Sequence, residues 1–251
     1  MASEVDALVM GRCFKCNRVV SGDFKVFCED CDGTPEEQAA RAAKWSRERL
    51  AAKEKAHDDS RVRRLSACLD GIPSLFQGLR LDQPLLAARV RRPEAIAEAR
   101  AAMLAPMVSL VGGAGSGKTS IAAAMLGDLV ALAVAHNGPA ARLSRSALWV
   151  SAPALARARA AHPLGEGEAP LVRRCLAASL LIVDDVGFER QDMSGAVGEV
   201  LYERHSQELH TWSTTGFTSA QLAERYGDGV KRRLSEAQYV RVIRCATKGA
   251  T

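Results

Sequence analysis

The chain has 251 residues and a mass of 26.9 kDa, room for one full domain and a smaller attachment. At 47% hydrophobic and 25% charged residues it matches an ordinary folded protein, which excludes collagen-like, mucin-like and wholly disordered classes. The net charge of +5 favours a polyanionic partner without demanding one, and with aromatics at 5% any nucleic-acid surface must lean on Arg and Lys rather than on stacked rings.

The first residues, Met1-Ala2-Ser3-Glu4-Val5-Asp6, carry acids where a secretory signal needs a basic start and an apolar core. The longest apolar stretch, Ile121 to Ala135, is broken by Gly127 and Asp128, short of the roughly 18 residues of a membrane helix. A reducing, cytoplasmic setting without membrane attachment is therefore expected, in which clustered cysteines bind metal more often than they form disulfides. Four of the seven cysteines form two C-x2-C pairs, Cys13 with Cys16 and Cys28 with Cys31. Each pair turns tightly enough to offer two thiolates to one ion, and Zn²⁺ takes four such ligands tetrahedrally, so a closed, structural zinc site is predicted. A hairpin over Asn17–Phe27, turning at Ser21-Gly22-Asp23, would join the pairs. Residues 1–34 are read as this zinc-ribbon-like domain. Residues 35–69 read as a charged, solvent-exposed helical linker, with Thr34 as N-cap, Pro35 at the first helical position and Glu37 closing a capping box. The globular domain is expected over residues 70–251.

Within that domain short apolar runs alternate with helical stretches. Strands are predicted at Met107–Val111, Ala147–Val150, Leu180–Val183, Thr211–Thr215 and Tyr239–Ile243. Ile121, Met125, Leu129 and Leu132 fall on one helical face, and Val197, Val200, Leu201 and His205 on another. Thr218 to Gln221 reads as a capping box that opens a further helix. Buried strands separated by helices predict an α/β fold, a parallel sheet with helices on both faces.

Directly after the first of these strands comes Gly112-Gly113-Ala114-Gly115-Ser116-Gly117-Lys118-Thr119-Ser120, leading into an apolar helix. This is the Walker A pattern in its strand-loop-helix context. Its glycines let backbone N–H groups curl around phosphates, the helix N-terminus adds its positive dipole end, Lys118 reaches the β and γ phosphates of ATP, and Thr119 ligates Mg²⁺. Leu180-Leu181-Ile182-Val183-Asp184-Asp185 then reads as a Walker B strand. It delivers Asp184 to the Mg²⁺ shell at the C-terminal edge of the sheet, with Asp185 next in line to orient or deprotonate the attacking water.

Gly71-Ile72-Pro73, Asp184-Asp185-Val186-Gly187, Leu201-Tyr202-Glu203-Arg204-His205, Thr214-Thr215-Gly216 and Tyr226-Gly227-Asp228-Gly229-Val230-Lys231-Arg232-Arg233-Leu234 together resemble the DnaC/IstB-type ATPases. The resemblance covers residues 70–244 and implies a P-loop AAA+ fold. It implies an ATPase that loads a replicative helicase onto single-stranded DNA, or else assists a transposase at target DNA. It also implies that the N-terminal zinc unit contacts the helicase. By the same resemblance Arg233, with Arg232 as the fallback, matches an arginine finger that reaches a neighbouring copy, which implies ATP-dependent self-assembly. DNA contact is expected from Arg157, Arg159, Arg173 and Arg174, between the second and third strands of the domain. Two features depart from the family. Gly216 stands where relatives carry an Asn that positions water, leaving Thr215 or Thr214 to supply a hydroxyl or hydrolysis slow. Few residues follow the last strand, so the helical lid of typical AAA+ proteins, with its arginine, is expected to be absent. A small-molecule P-loop kinase is the reading from another class; it leaves Arg232-Arg233 unexplained.

Overall fold

The computed structural model describes residues 10–12, 19–21, 34–136, 138–236 and 238–246. It divides the chain into two compact units, Met1–Asp59 and Ser60–Thr251. In the first, strand β1 (Met10–Arg12) pairs antiparallel with β2 (Val19–Ser21), Met10 lying opposite Ser21. The four cysteines predicted to hold zinc, Cys13, Cys16, Cys28 and Cys31, lie outside the described residues, as does the expected Asn17–Phe27 hairpin apart from Val19–Ser21.

Helix α1 (Pro35–Ala67) starts where its capping box predicts: the Thr34 N–H donates to Glu37 Oε2 at 2.9 Å and the Glu37 N–H to Thr34 Oγ1 at 3.3 Å. Over its first 25 residues every described side chain is exposed, Trp45 included, as a run of Ala, Arg, Lys and Glu with no apolar stripe dictates.

The second unit is built on five parallel strands: β3 (Met107–Val111), β4 (Ala147–Ser151), β5 (Leu180–Val186), β6 (His210–Thr215) and β7 (Arg241–Arg244), in the spatial order β4-β5-β6-β3-β7. The inner strands are buried on both faces, which is why they read as unbroken apolar runs. Period-two alternation divides their side chains between two cores. Leu180, Ile182 and Trp212 join one core with α2 (Pro84–Arg89), α3 (Glu94–Ala102), α4 (Lys118–Ala135) and α5 (Pro139–Leu143). Leu181 and Val183 join the other with α6 (Ala152–Ala160), α7 (Pro170–Ala177), α8 (Gly195–Ser206) and α9 (Ser219–Ser235). Gly71, ahead of the sheet, lies in close approach to β4: a Cβ there would stand 3.0 Å from the Trp149 Cβ and 3.2 Å from its carbonyl oxygen, so a larger residue would push on that strand.

Two predicted elements are corrected. The fifth strand starts at Arg241, not Tyr239, because the N–H groups of Tyr239 and Val240 return to the Glu236 carbonyl and close the turn that ends α9. Helix α4 is not one-faced. Ala122, Ala123, Ala124 and Leu126 are as buried as Ile121, Met125 and Leu129, whereas Leu132 is 41% exposed. The three consecutive alanines suit a helix enclosed on several sides, having little volume to clash. Gly127 and Asp128, which interrupt the apolar run in sequence, serve packing. A Cβ on Gly127 would lie 2.7 Å from the Leu79 carbonyl oxygen, and Arg80 crosses there, donating to the Gly127 carbonyl and pairing with Asp128 at 3.4 Å. Helix α4 is long and apolar enough to cross a membrane, and it spends that apolar surface in the core.

Candidate nucleotide site

The loop between β3 and α4 is shaped by two glycines with left-handed backbone. Gly115 has φ 67° and Gly117 φ 91°. At Gly117 a Cβ would also meet the Arg89 carbonyl oxygen at 2.8 Å and Val90 at 2.9 Å, so the loop is seated against α2 and no other residue fits. Gly117 caps α4, and its carbonyl accepts the Ile121 N–H at 2.9 Å. The remaining N–H groups of the first turn of α4 thus form a cradle of donors at a positive helix end. Ser116 Oγ is buried in this loop with no hydrogen-bond partner among the described residues. Lys118 Nζ donates to the Gly113 carbonyl at 3.0 Å; burial lowers its proton affinity, against which Cys245, Asp185 and Asp184 act.

The acids come from β5 by way of a bulge. Val183 is paired with Ser213 and Val186 with Thr215, so Asp184 and Asp185 together face the single residue Thr214. The bulge leaves Asp184 on the face of Leu180 and Ile182, toward α4, where Thr119 Oγ1 donates to its Oδ1 at 3.0 Å. Thr214 Oγ1 donates to the same oxygen at 2.5 Å and accepts the Asp185 N–H at 2.9 Å. Asp185 is turned outward with φ 58°, a conformation that costs a non-glycine residue roughly 1–2 kcal/mol and is held here by the bulge and by Thr214. Asp184 is 4% exposed, and burial raises its pKa above the ordinary 3.8 while the hydroxyls of Thr214 and Thr119 pull it down.

The P-loop and Asp185 open on a cleft of about 680 Å³ lined by residues 114–120, Asp185, Phe188, Leu75, Phe76 and Arg89. That volume suits a nucleotide-sized ligand. The chemistry of the site also suits Mg²⁺, since Thr119 and Asp184 offer hard oxygen donors side by side with a second carboxylate next to them. Leu75, Phe76, Phe188 and Arg89 are lining residues that motif reading missed. The one available signal was three large apolar side chains in stretches otherwise reading as loop.

Thr215, the first hydroxyl candidate in sequence, is occupied elsewhere: its Oγ1 donates to the Val186 carbonyl at 2.8 Å and accepts the Phe217 N–H at 3.0 Å. Thr214 is the residue that meets the acids. Gly216 has a packing reason as well, because a Cβ there would lie 3.1 Å from the Phe188 ring, which itself packs on Phe217 at 5.6 Å. A longer residue at 216 would have to displace Phe188 from the mouth of the cleft.

No protein-family model and no curated protein matches this chain. Solved structures do. It is similar to the DnaC helicase loader, with a TM-score of 0.50 and 20% identity over 69% of this chain and 99% of that one. It is likewise similar to DnaI, with a TM-score of 0.50 and 23% identity over 70% of this chain and 92% of that one. What the chain shares with both is the fold, a five-stranded parallel sheet with helices on both faces.

Within this fold the remaining predicted residues have different surroundings. Arg233 is engaged inside the chain, its guanidinium 4.3 Å over the Tyr202 ring, Nε donating to His205 Nδ1 at 3.2 Å and one terminal nitrogen to the Gly229 carbonyl at 2.7 Å. Burial, and then the neighbouring Arg233, lower the pKa of His205, so it accepts this bond as a neutral ring. Arg232 is exposed. Of the four arginines predicted for DNA, Arg157 on α6 and Arg173 and Arg174 on α7 are exposed, whereas Arg159 is committed to Glu168 at 3.2 Å and to Glu199. Cys68, Cys175 and Cys245 are buried thiols, and burial pushes the last two up to about 11, which leaves them unreactive.

Proposed function

We propose that this chain binds and hydrolyses ATP with Mg²⁺ and acts in DNA replication as a helicase loader, assembling with copies of itself to place a replicative helicase on single-stranded DNA. The observation that carries the ATPase reading is the convergence of Thr119 and Thr214 on Asp184, at 3.0 and 2.5 Å, beside the glycine cradle. In this reading the P-loop N–H groups and Lys118 grip the β and γ phosphates, and Thr119 with Asp184 holds the metal. Asp185 orients the attacking water and takes its proton, while Thr214 fixes both acids through one hydroxyl. Mg²⁺, when bound, offsets the negative charge on the phosphoryl group in transfer.

The loader role is supported by the likeness in fold to DnaC and DnaI and by the motifs at residues 184–187 and 226–234. Arg233, or Arg232 in its place, would act as the finger on a neighbouring copy; Arg233 would first have to leave Tyr202 and His205. Arg157, Arg173 and Arg174 would contact DNA phosphates without reading sequence, an interaction that weakens steeply with salt. Cys13, Cys16, Cys28 and Cys31 would hold a structural Zn²⁺ and form the helicase-docking unit.

The reading is tested by mixing two inactive variants, Arg233→Ala and Asp185→Ala, and following phosphate release with single-stranded DNA present. Each alone should fall about 10³-fold or more, and the mixture should recover activity, since an intact finger then meets an intact acid across an interface. Recovery in an Arg232→Ala mixture but not an Arg233→Ala one would move the finger to Arg232. Failure of both mixtures would overturn self-assembly as the basis of hydrolysis.

A further inference from the structure

The loop that follows the two acids, Gly187-Phe188-Glu189-Arg190, is tied to α9 by a buried polar cluster that the site chemistry above does not use. Glu189 is 3% exposed. Its Oε2 accepts the Gly187 N–H at 3.1 Å, and its Oε1 accepts the Tyr226 hydroxyl. Arg225 closes the cluster from α9. One terminal nitrogen donates to the Gly187 carbonyl at 2.6 Å and to the Glu189 carbonyl, its Nε lies 3.6 Å from Glu189 Oε1, and its guanidinium stands 5.7 Å over the Phe217 ring. Two consecutive residues of α9 thus fix both ends of the turn that begins two residues after Asp185.

The turn has little freedom of its own. Gly187 has φ 101°, and a Cβ there would sit 2.9 Å from the Phe217 ring. Phe188, between the two tied residues, forms part of the cleft wall. Helix α9 is broken directly after the cluster, at Gly227, with φ 80° and ψ 167°. Its first half carries Arg225 and Tyr226, and its second half carries Arg232 and Arg233. Among the described residues nothing lies within 4 Å of a Cβ position at Gly227, and beyond the break Val230 and Leu234 seat the second half of α9 in the second core.

We propose that Arg225 is a positioning residue that, with Glu189 and Tyr226, couples the loop behind Asp185 to α9, so that the state of the nucleotide site is passed across the Gly227 break to Arg232 and Arg233. A rigid connection on one side of a glycine break and a pair of arginines on the other is the arrangement a lever requires. This inference rests on the proposed ATPase reading. It adds that the second half of α9 responds to nucleotide through Arg225.

The test is hydrogen exchange on the full chain with and without Mg²⁺ and a non-hydrolysable ATP analogue, comparing the wild type with Arg225→Met and Tyr226→Phe, together with kcat and KM for ATP. In the wild type, protection should change both at residues 112–120 and at residues 228–236. In Arg225→Met the first change should persist and the second should vanish, with kcat down about 100-fold and KM within about threefold, because misplacement of a reacting group costs rate rather than affinity. Tyr226→Phe removes a single hydroxyl and keeps the ring, so it tests the coupling if Arg225→Met fails to fold; its kcat should drop about tenfold with KM held. Equal responses at residues 228–236 in wild type and a folded variant would overturn the coupling while leaving the ATPase reading intact. No response at residues 112–120 in the wild type would overturn the ATPase reading, and the coupling with it.

Discussion

Asp184 lies where burial and hydroxyl donors pull its proton affinity in opposite directions. Burial is the largest influence and raises the pKa above 3.8; Thr214 and Thr119 oppose it, and Asp185 adds to it. Because the folded carboxyl keeps its proton to higher pH than the unfolded one, its contribution to folding stability is fully present below pH 3.8 and is lost as pH rises through the raised value. The effect on ligand has the other sign, since a metal requires the carboxylate. The magnesium-dependent part of ATP affinity should therefore decline on acidification beginning above pH 3.8, and titrations across pH should find that decline absent in Asp184→Asn. Thr214 and Thr215 separate equally cleanly. Thr214→Val removes the one hydroxyl that touches both acids and should lower kcat about 10- to 100-fold, whereas Thr215→Val should act chiefly on stability, by about 1–2 kcal/mol in urea unfolding. The Walker motifs were legible because their chemistry is local: six residues of loop, or two acids at a strand end. The choice of Thr214 was not, because it depends on a bulge that sets two residues of β5 against one of β6, and strand pairing is written in no single segment.

At the scale of elements, the least expected arrangement is a buried guanidinium that meets no carboxylate among the described residues. Arg204 on α8 is fully buried, and its nitrogens donate to the carbonyls of Cys175, Leu176, Ala178 and His210 and to Thr211 Oγ1, at 2.6–3.1 Å. It thereby satisfies the carbonyls at the end of α7 and joins them to the start of β6. Burial brings its pKa down to about 10, so it remains charged at neutral pH, and its hydrogen bonds to carbonyls and to Thr211 offset the cost of desolvation. Arg204→Met should destabilise the protein by about 3–5 kcal/mol in urea unfolding, since several buried carbonyls would lose their donor at once. Lysine, with one point charge in place of a fork, should recover only part of this. In sequence Arg204 stood inside a family-like motif with no visible reason. The structure makes it a joint between elements, which composition and periodicity cannot reveal. The same limit explains α4, whose periodicity suggested a single buried face: how many sides of a helix are covered depends on which elements the topology brings to it.

Across the whole molecule, the alternation of apolar runs and helices was enough to predict a parallel sheet covered on both faces; three strands start where predicted, β6 starts one residue early at His210, and β7 starts two residues late because α9 draws Tyr239 and Val240 into its terminal turn. The strand order was not legible, and it is what assembles the site: β6 lies between β3 and β5, so its hydroxyls stand between the P-loop and the acids. The central claim is that this assembly binds Mg²⁺ and ATP through the P-loop and hydrolyses the nucleotide. The most direct test is a calorimetric titration of the full chain with ATP and Mg²⁺, repeated on Lys118→Ala and followed by phosphate release from the same samples. One site per chain is expected, with affinity lowered about 100-fold or more in Lys118→Ala and phosphate release lost, as removal of a charge-assisted grip on phosphate requires. Equal ATP affinity in the wild type and a folded Lys118→Ala, or no saturable heat in the wild type, would contradict it.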